Sequence, residues 1–113
     1  YVASDAQLAD QLIAAIKVRG GTCSRGTTWT TDAPFRETIE EIRQYQSEGV
    51  KTVEMESAGL FTVGQVRNIP TVSVVVGMDS LAEFRWQVPE RLNEILHSLE
   101  LVYAAALDVL KSR

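Results

Sequence analysis

Three acidic side chains in this sequence stand where carboxylates could do chemistry. Two of them, Glu54 and Glu56, flank Met55 in the run Val53-Glu54-Met55-Glu56-Ser57-Ala58-Gly59-Leu60. The residues before it, Gly49 to Val53, have the character of a short strand, and those from Ser57 to Arg67 read as a helix. A carboxylate at such a handover faces free backbone N–H groups and the positive end of a helix dipole, which stabilise it as an anion. Held there, it is a good acceptor for two neighbouring hydroxyls, such as those of a ribose. The plainer reading is a pair of solvated surface charges around a methionine that fills the core. The third carboxylate is Asp79, just past the β-branched run Thr71-Val72-Ser73-Val74-Val75-Val76-Gly77. In open α/β sheets ligands gather at the C-terminal ends of strands. Taken locally, the simpler reading of Asp79 is an N-cap or a loop residue.

The elements that would position these groups can be read from periodicity and punctuation. Ser4 and Gln7 have capping-box spacing, and Leu8, Leu12, Ile13 and Ile16 share one helical face until Gly20-Gly21 stops it. Thr22 to Thr31 reads as a strand, and Pro34 makes the next segment a turn or loop, with Asp32 able to cap the next helix. Thr38 and Glu41 form a second capping box ahead of the stripe Ile39, Ile42 and Tyr45, and Gly49 closes that helix. Glu37, Glu40 and Glu41 suit the helix dipole and read as a solvated face. Leu60, Phe61, Val63 and Val66 predict a well-buried third helix, with Gly64 permitting close packing and Asn68 and Pro70 ending it. The run Thr71–Gly77 alternates little, which suits a strand buried on both faces. Leu81 to Val88 is a loop in which Trp86 either covers a pocket or, more simply, closes the edge of the core. Pro89 suits the first turn of a long terminal helix, whose stripe Leu92, Ile95, Leu96, Leu99, Val102, Ala106 and Leu110 would cover a sheet, with Lys111 and Arg113 at its end. The resulting order, helix and strand in alternation, predicts an α/β fold: a helix-covered, largely parallel or mixed sheet in a single domain over residues 1-113.

Composition excludes some functions. A net charge of −4 argues against a nucleic-acid partner, which favours a basic patch. One cysteine, Cys23, leaves no internal disulfide and fits a reducing, cytoplasmic setting. One histidine, His97, makes no metal-ligand spacing with it, so no metal site is read. No stretch reaches membrane-spanning length. Gly20-Gly21 ends a helix where a phosphate-cradling loop would have to open one.

The segment Val-Glu-Met-Glu-Ser-Ala-Gly-Leu resembles the ribose-binding signature of the nucleoside phosphorylase family, which includes purine nucleoside phosphorylases, uridine phosphorylases and related nucleosidases. The resemblance covers nearly the whole chain and corresponds to the C-terminal half of longer family members. It therefore implies a part of the phosphorylase-type three-layer fold, expected to associate with a missing N-terminal half or to form a homo-oligomer. By this resemblance Glu56 holds the ribose hydroxyls, Met55 packs on the sugar and Glu54 supports them. Asp79 lies 23 residues after Glu56, the spacing at which purine phosphorylases and nucleosidases carry their catalytic acid. The residue before it is Met78, where the family usually has Ser. Thr30 matches a hydroxyl-bearing position of the base pocket, and Phe35 is the nearest aromatic to the family's base-stacking position, although Pro34-Phe35 replaces an aromatic pair. Arg85 or Arg91 could meet Asp79 on loop closure.

The activity so implied is phosphorolytic cleavage of the N-glycosidic bond of nucleosides, purine-leaning, giving free base and ribose 1-phosphate. Inorganic phosphate is the co-substrate and no cofactor is expected. The family's phosphate-binding arginines and glycine-rich loop belong to the other half, so the 113 residues alone are expected to be inert. Three alternatives stay open: a uridine phosphorylase, toward which Glu-Ser-Ala leans; a nucleosidase using water; and a non-catalytic nucleoside-binding module.

Overall fold

The computed structural model describes residues 1–87 and 91–112. The element order is α1 (Ala6–Val18), β1 (Thr27–Thr30), a single 3-10 turn (Pro34–Arg36), α2 (Ile39–Ser47), β2 (Val50–Glu54), α3 (Ser57–Arg67) and α4 (Leu92–Lys111). β1 and β2 run parallel, with Thr28 opposite Thr52, Trp29 opposite Val53 and Thr30 opposite Glu54. The connection between them passes through α2, as a parallel pair requires. The chain is thus an α/β fold with a parallel sheet, as its alternating pattern predicts.

Helix α1 begins one residue later than the Ser4–Gln7 box predicts. Asp5 is the N-cap, and its carboxylate accepts the Leu8 N–H at 2.7 Å. An ionised oxygen is the stronger acceptor, and the Asp5 N–H is itself fixed by the Thr71 carbonyl at 2.8 Å. Gly20, at φ +82°, ends the helix as expected. Leu8, Leu12 and Ile16 of α1 meet Ala105 and Val109 of α4 in the buried core, with Val72, Val74, Leu101 and Val102 packed around it. Each large aliphatic buried there contributes about 1.5–3 kcal/mol. A Cβ at Gly21 would sit 2.8 Å from the Leu101 side chain and 2.9 Å from that of Ile16, which would have to shift.

Helix α2 has the predicted capping box: the Thr38 hydroxyl accepts from the Glu41 N–H, and the Glu41 carboxylate accepts from the Thr38 N–H. Tyr45 of α2 stacks on Trp29 of β1 with ring centroids 4.5 Å apart, which ties this helix to the sheet.

Four expectations are corrected. The strand predicted for Thr22 to Thr31 contracts to Thr27–Thr30, where β2 offers a partner. The run Thr71–Gly77 is straight, with no helix, turn or bend, yet it joins no ladder among the described residues. Propensity shapes a segment, but a strand needs a neighbour's hydrogen bonds, and none borders this one. Helix α3 has the predicted bounds but is not well buried: only Ser57 and Gly64 are, while Leu60, Val63 and Val66 are exposed. Helix α4 lays its buried residues, Ala105 and Val109, on α1 instead of the sheet, and leaves Leu92, Leu96, Leu99 and Leu110 exposed. The expectations for Val88, Pro89 and Arg113 lie outside the described residues.

Candidate functional site

The Met-Glu segment sits at the handover its sequence suggests. β2 ends at Glu54, and α3 starts at Ser57 with Glu56 as its N-cap residue. The two carboxylates divide the local work unequally. Glu54 accepts the backbone N–H of Glu56 at 2.9 Å and of Ser57 at 2.6 Å, and it takes the Thr30 hydroxyl as well. The Thr30 oxygen in turn accepts the Ala58 N–H at 3.1 Å. Glu54 and Thr30 together therefore satisfy three of the donors that open α3. Partial burial opposes ionisation of Glu54, but the hydrogen bonds from Thr30, Glu56 and Ser57 outweigh it and hold the carboxyl below the usual glutamate value.

Glu56 and Met55 are exposed, and the one described hydrogen bond to the Glu56 carboxylate comes from the Met55 N–H at 3.3 Å. Its acceptor capacity is largely unspent. Glu54 locks the turn, and the Glu56 carboxylate is left exposed.

A cavity of about 460 Å³ runs along β2 and reaches Asp79. Its lining includes Glu54, Trp29, Tyr45, Glu37 and Asp79. The Asp79 carboxylate accepts the indole N–H of Trp86 at 2.7 Å. Trp86 is thus an exposed side chain that steadies Asp79, not the closure of the core edge that its sequence context favours. Its loop is pinched at the base by reciprocal backbone hydrogen bonds between Ser80 and Gln87, both 2.9 Å. Two contacts dock the loop on α2: Arg43 lies over the Phe84 ring at 5.1 Å, and Gln46 donates to the Ala82 carbonyl at 3.3 Å. Phe84 takes a left-handed φ of 58°, which turns the chain back toward Asp79. Arg91 pairs with Glu94 at 3.0 Å, and Arg85 is in none of the ion pairs among the described residues, so neither arginine stands on Asp79 here.

Phe35 is 88% exposed and meets Trp86 edge-to-face with centroids 6.4 Å apart. Through Trp86, which donates to Asp79, the ring pair is tied to the Asp79 loop, although neither ring lines the cavity. Sequence reasoning passed over Glu37, which it read as part of a solvated face. The structure places Glu37 on the cavity wall, half-buried. Burial, then the charges of Asp79 and Glu41, push its carboxyl up. Its position just before the Thr38 N-cap, outside the helix proper, was the available signal. Among the described residues no cluster of His, Cys, Asp and Glu could hold a metal ion.

The structure thus brings Glu54, Glu37 and Asp79 to one cavity, with the exposed Glu56 carboxylate two residues beyond Glu54 at the start of α3 and Trp86 bonded to Asp79. A family model described as the phosphorylase superfamily matches residues 1–111. With nearly the whole sequence matched, and its Met-Glu turn folded as described, this chain belongs to the phosphorylase superfamily.

Proposed function

We propose that this chain supplies the nucleoside-holding side of a site that cleaves N-glycosidic bonds by phosphorolysis, with a preference for purines. The observation that carries this reading is that β2, which ends in the Met-Glu turn, and Asp79 border one cavity. Glu56 accepts the two ribose hydroxyls, Met55 packs on the sugar, and Glu54 fixes the turn. Phe35 and Trp86 stand with Asp79 at the base end, and Thr30 acts through Glu54 and Ala58 instead of through the base. As the C1′–nitrogen bond breaks, its electron pair goes to the base and positive charge builds on the ribose. Asp79 gives a proton or a hydrogen bond to the departing purine, and a phosphate oxygen bonds to C1′, leaving free base and ribose 1-phosphate. Glu37, raised by burial and then by the nearby charges of Asp79 and Glu41, lines the same cavity. The groups that hold phosphate belong, on this reading, to a segment upstream of residue 1.

The test is chromatographic release of base from inosine, adenosine and uridine, with and without phosphate. It uses the 113-residue chain and a form extended upstream. Phosphate-dependent purine release by the extended form alone is expected, and Asp79→Asn should lower it roughly 10²–10⁴-fold. Release without phosphate would replace this reading with a nucleosidase, and preferential release of uracil with a uridine phosphorylase. Saturable inosine binding without any release would leave a nucleoside-binding module.

A further inference from the structure

The two oxygens of the Asp79 carboxylate have different surroundings. Oδ2 accepts the indole N–H of Trp86 at 2.7 Å, the short end for an N–H···O bond. Oδ1 has no hydrogen-bond partner among the described residues. Trp86 gains little from burial where it stands, because it is 62% exposed. Its one polar atom can only donate, and it is spent on this carboxylate.

The indole is held from several sides. The reciprocal Ser80–Gln87 hydrogen bonds close its loop. Arg43 over the Phe84 ring and Gln46 on the Ala82 carbonyl fasten that loop to α2. Phe35 meets the ring edge-on from another segment. Exposed side chains ordinarily change rotamer within nanoseconds, and these contacts restrict that freedom. The support is also uncharged. Arg91 is paired with Glu94, and Arg85 is in none of the ion pairs among the described residues. An indole therefore fixes the direction of the carboxyl without the charge that a guanidinium would bring.

We infer that Trp86 is a positioning residue: it takes Oδ2 of Asp79 and so makes Oδ1 the oxygen that meets the departing base. The role rests on the proposed function, in which Asp79 assists the leaving purine. An indole N–H bonds best to the oxygen that carries no proton, so a proton held by Asp79 sits on Oδ1. In the step, the Oδ1–H bond breaks and its proton goes to a nitrogen of the base. The electron pair of the C1′–nitrogen bond enters the base, and a phosphate oxygen bonds to C1′. Asp79 is left as a carboxylate with charge on both oxygens, and the bond from Trp86 becomes charge-assisted. That bond is stronger in the transition state than before it, which lowers the barrier without tightening substrate binding. Trp86 itself touches no substrate, in keeping with its place outside the cavity lining.

A double-mutant cycle on the form extended upstream tests it, read as release of base from inosine at saturating phosphate. Trp86→Phe keeps a ring for Phe35 and removes the N–H. It should lower kcat about tenfold, the loss of one partly water-exposed hydrogen bond to a charged group, and leave KM within about twofold. In an Asp79→Asn background the same change should cost less than about twofold, because the group it positions is gone. A second readout needs no activity. In the 113-residue chain, NMR follows the indole protons of Trp29 and Trp86, with Trp86→Phe assigning the latter. Asp79→Ala should speed exchange of the Trp86 proton with water by about tenfold and leave that of Trp29 unchanged. An unaltered kcat in Trp86→Phe overturns the inference. So does an undiminished loss in the Asp79→Asn background, which would set Trp86 on the substrate itself, or an indole proton indifferent to Asp79→Ala. If the wild-type extended form releases no base, the proposed function falls and takes this role with it; if wild type and Trp86→Phe release base equally fast, the positioning role alone falls.

Discussion

Replacing Glu54 by alanine should destabilise the fold more than any other single change in the Met-Glu segment. The side chain accepts from the Thr30 hydroxyl and from the N–H groups of Glu56 and Ser57, and alanine leaves all three donors without their acceptor. A hydrogen bond to a charged group contributes about 1.5–3 kcal/mol when fully shielded. Glu54 is only partly buried, so water recovers much of this, and loss of a helix N-cap acceptor, typically about 1 kcal/mol, is the nearer guide for each backbone donor. The expected cost is about 2–3 kcal/mol, a large share of the stability of a small domain. Glu54→Gln keeps one acceptor oxygen and should lose about half of that. The same contacts give a pH signature. The folded carboxyl lies below its ordinary value of 4.5, so its stabilisation is fully present above that pH and disappears as pH falls through the lower folded value. Urea unfolding followed by helical circular dichroism at pH 7 and at pH 3 reads both effects. Wild type and Glu54→Gln should differ most at pH 7, and the difference should shrink as pH falls below 4.5. A Glu54→Ala variant within about 0.5 kcal/mol of wild type at pH 7, the range of an ordinary surface substitution, would refute the reasoning.

Gly64→Ala should also unfold more easily, by about 1–3 kcal/mol, because a Cβ there would lie 2.6 Å from the Thr71 side chain and 2.9 Å from the Ile69 carbonyl oxygen; a urea midpoint checks it. Glu37→Gln should change stability in the opposite direction to Glu54→Gln. The folded Glu37 carboxyl is raised, so its contribution is fully present below the unfolded value of 4.5 and is lost as pH rises through the folded one. At pH 7 the glutamine variant should match or exceed wild type in thermal midpoint, and it should lose that advantage at pH 3.

The parts of the fold legible in the sequence are those settled within a few residues. The Thr38–Glu41 box, the left-handed Gly20 and Gly49 and the span Ser57–Arg67 each depend on near neighbours, and each is found where expected. The start of α1 was less legible because two capping residues, Ser4 and Asp5, compete there. Its outcome is tied to Thr71, far along the chain. The exposed faces of α3 and the unpaired run Thr71–Gly77 share one cause. Both have the composition of buried elements, and composition states what a segment can bury against, not whether the partner is among these residues. Leu60, Val63 and Val66 are exposed, and residues 72–79 make no backbone–backbone hydrogen bond among the described residues.

The site shows a finer limit. The sequence marks Glu54 and Glu56 as a pair but cannot rank them, because both lie within reach of the first turn of α3. Backbone direction decides. Glu54 is the last residue of β2, and its side chain accepts the N–H groups of Glu56 and Ser57 and the hydroxyl of Thr30 on the neighbouring strand. Glu56, already in the cap position, has an exposed carboxylate. The carboxylate that anchors the turn is surrounded by donors, and the other is left with one long hydrogen bond. The parallel register that sets Thr30 beside Glu54 produces that difference between two chemically identical side chains two residues apart. Trp86 and Glu37 became visible around Asp79 in the same way. Neither has a motif: Trp86 reaches the Asp79 carboxyl from the loop pinned to α2, and Glu37 shares the cavity wall with it.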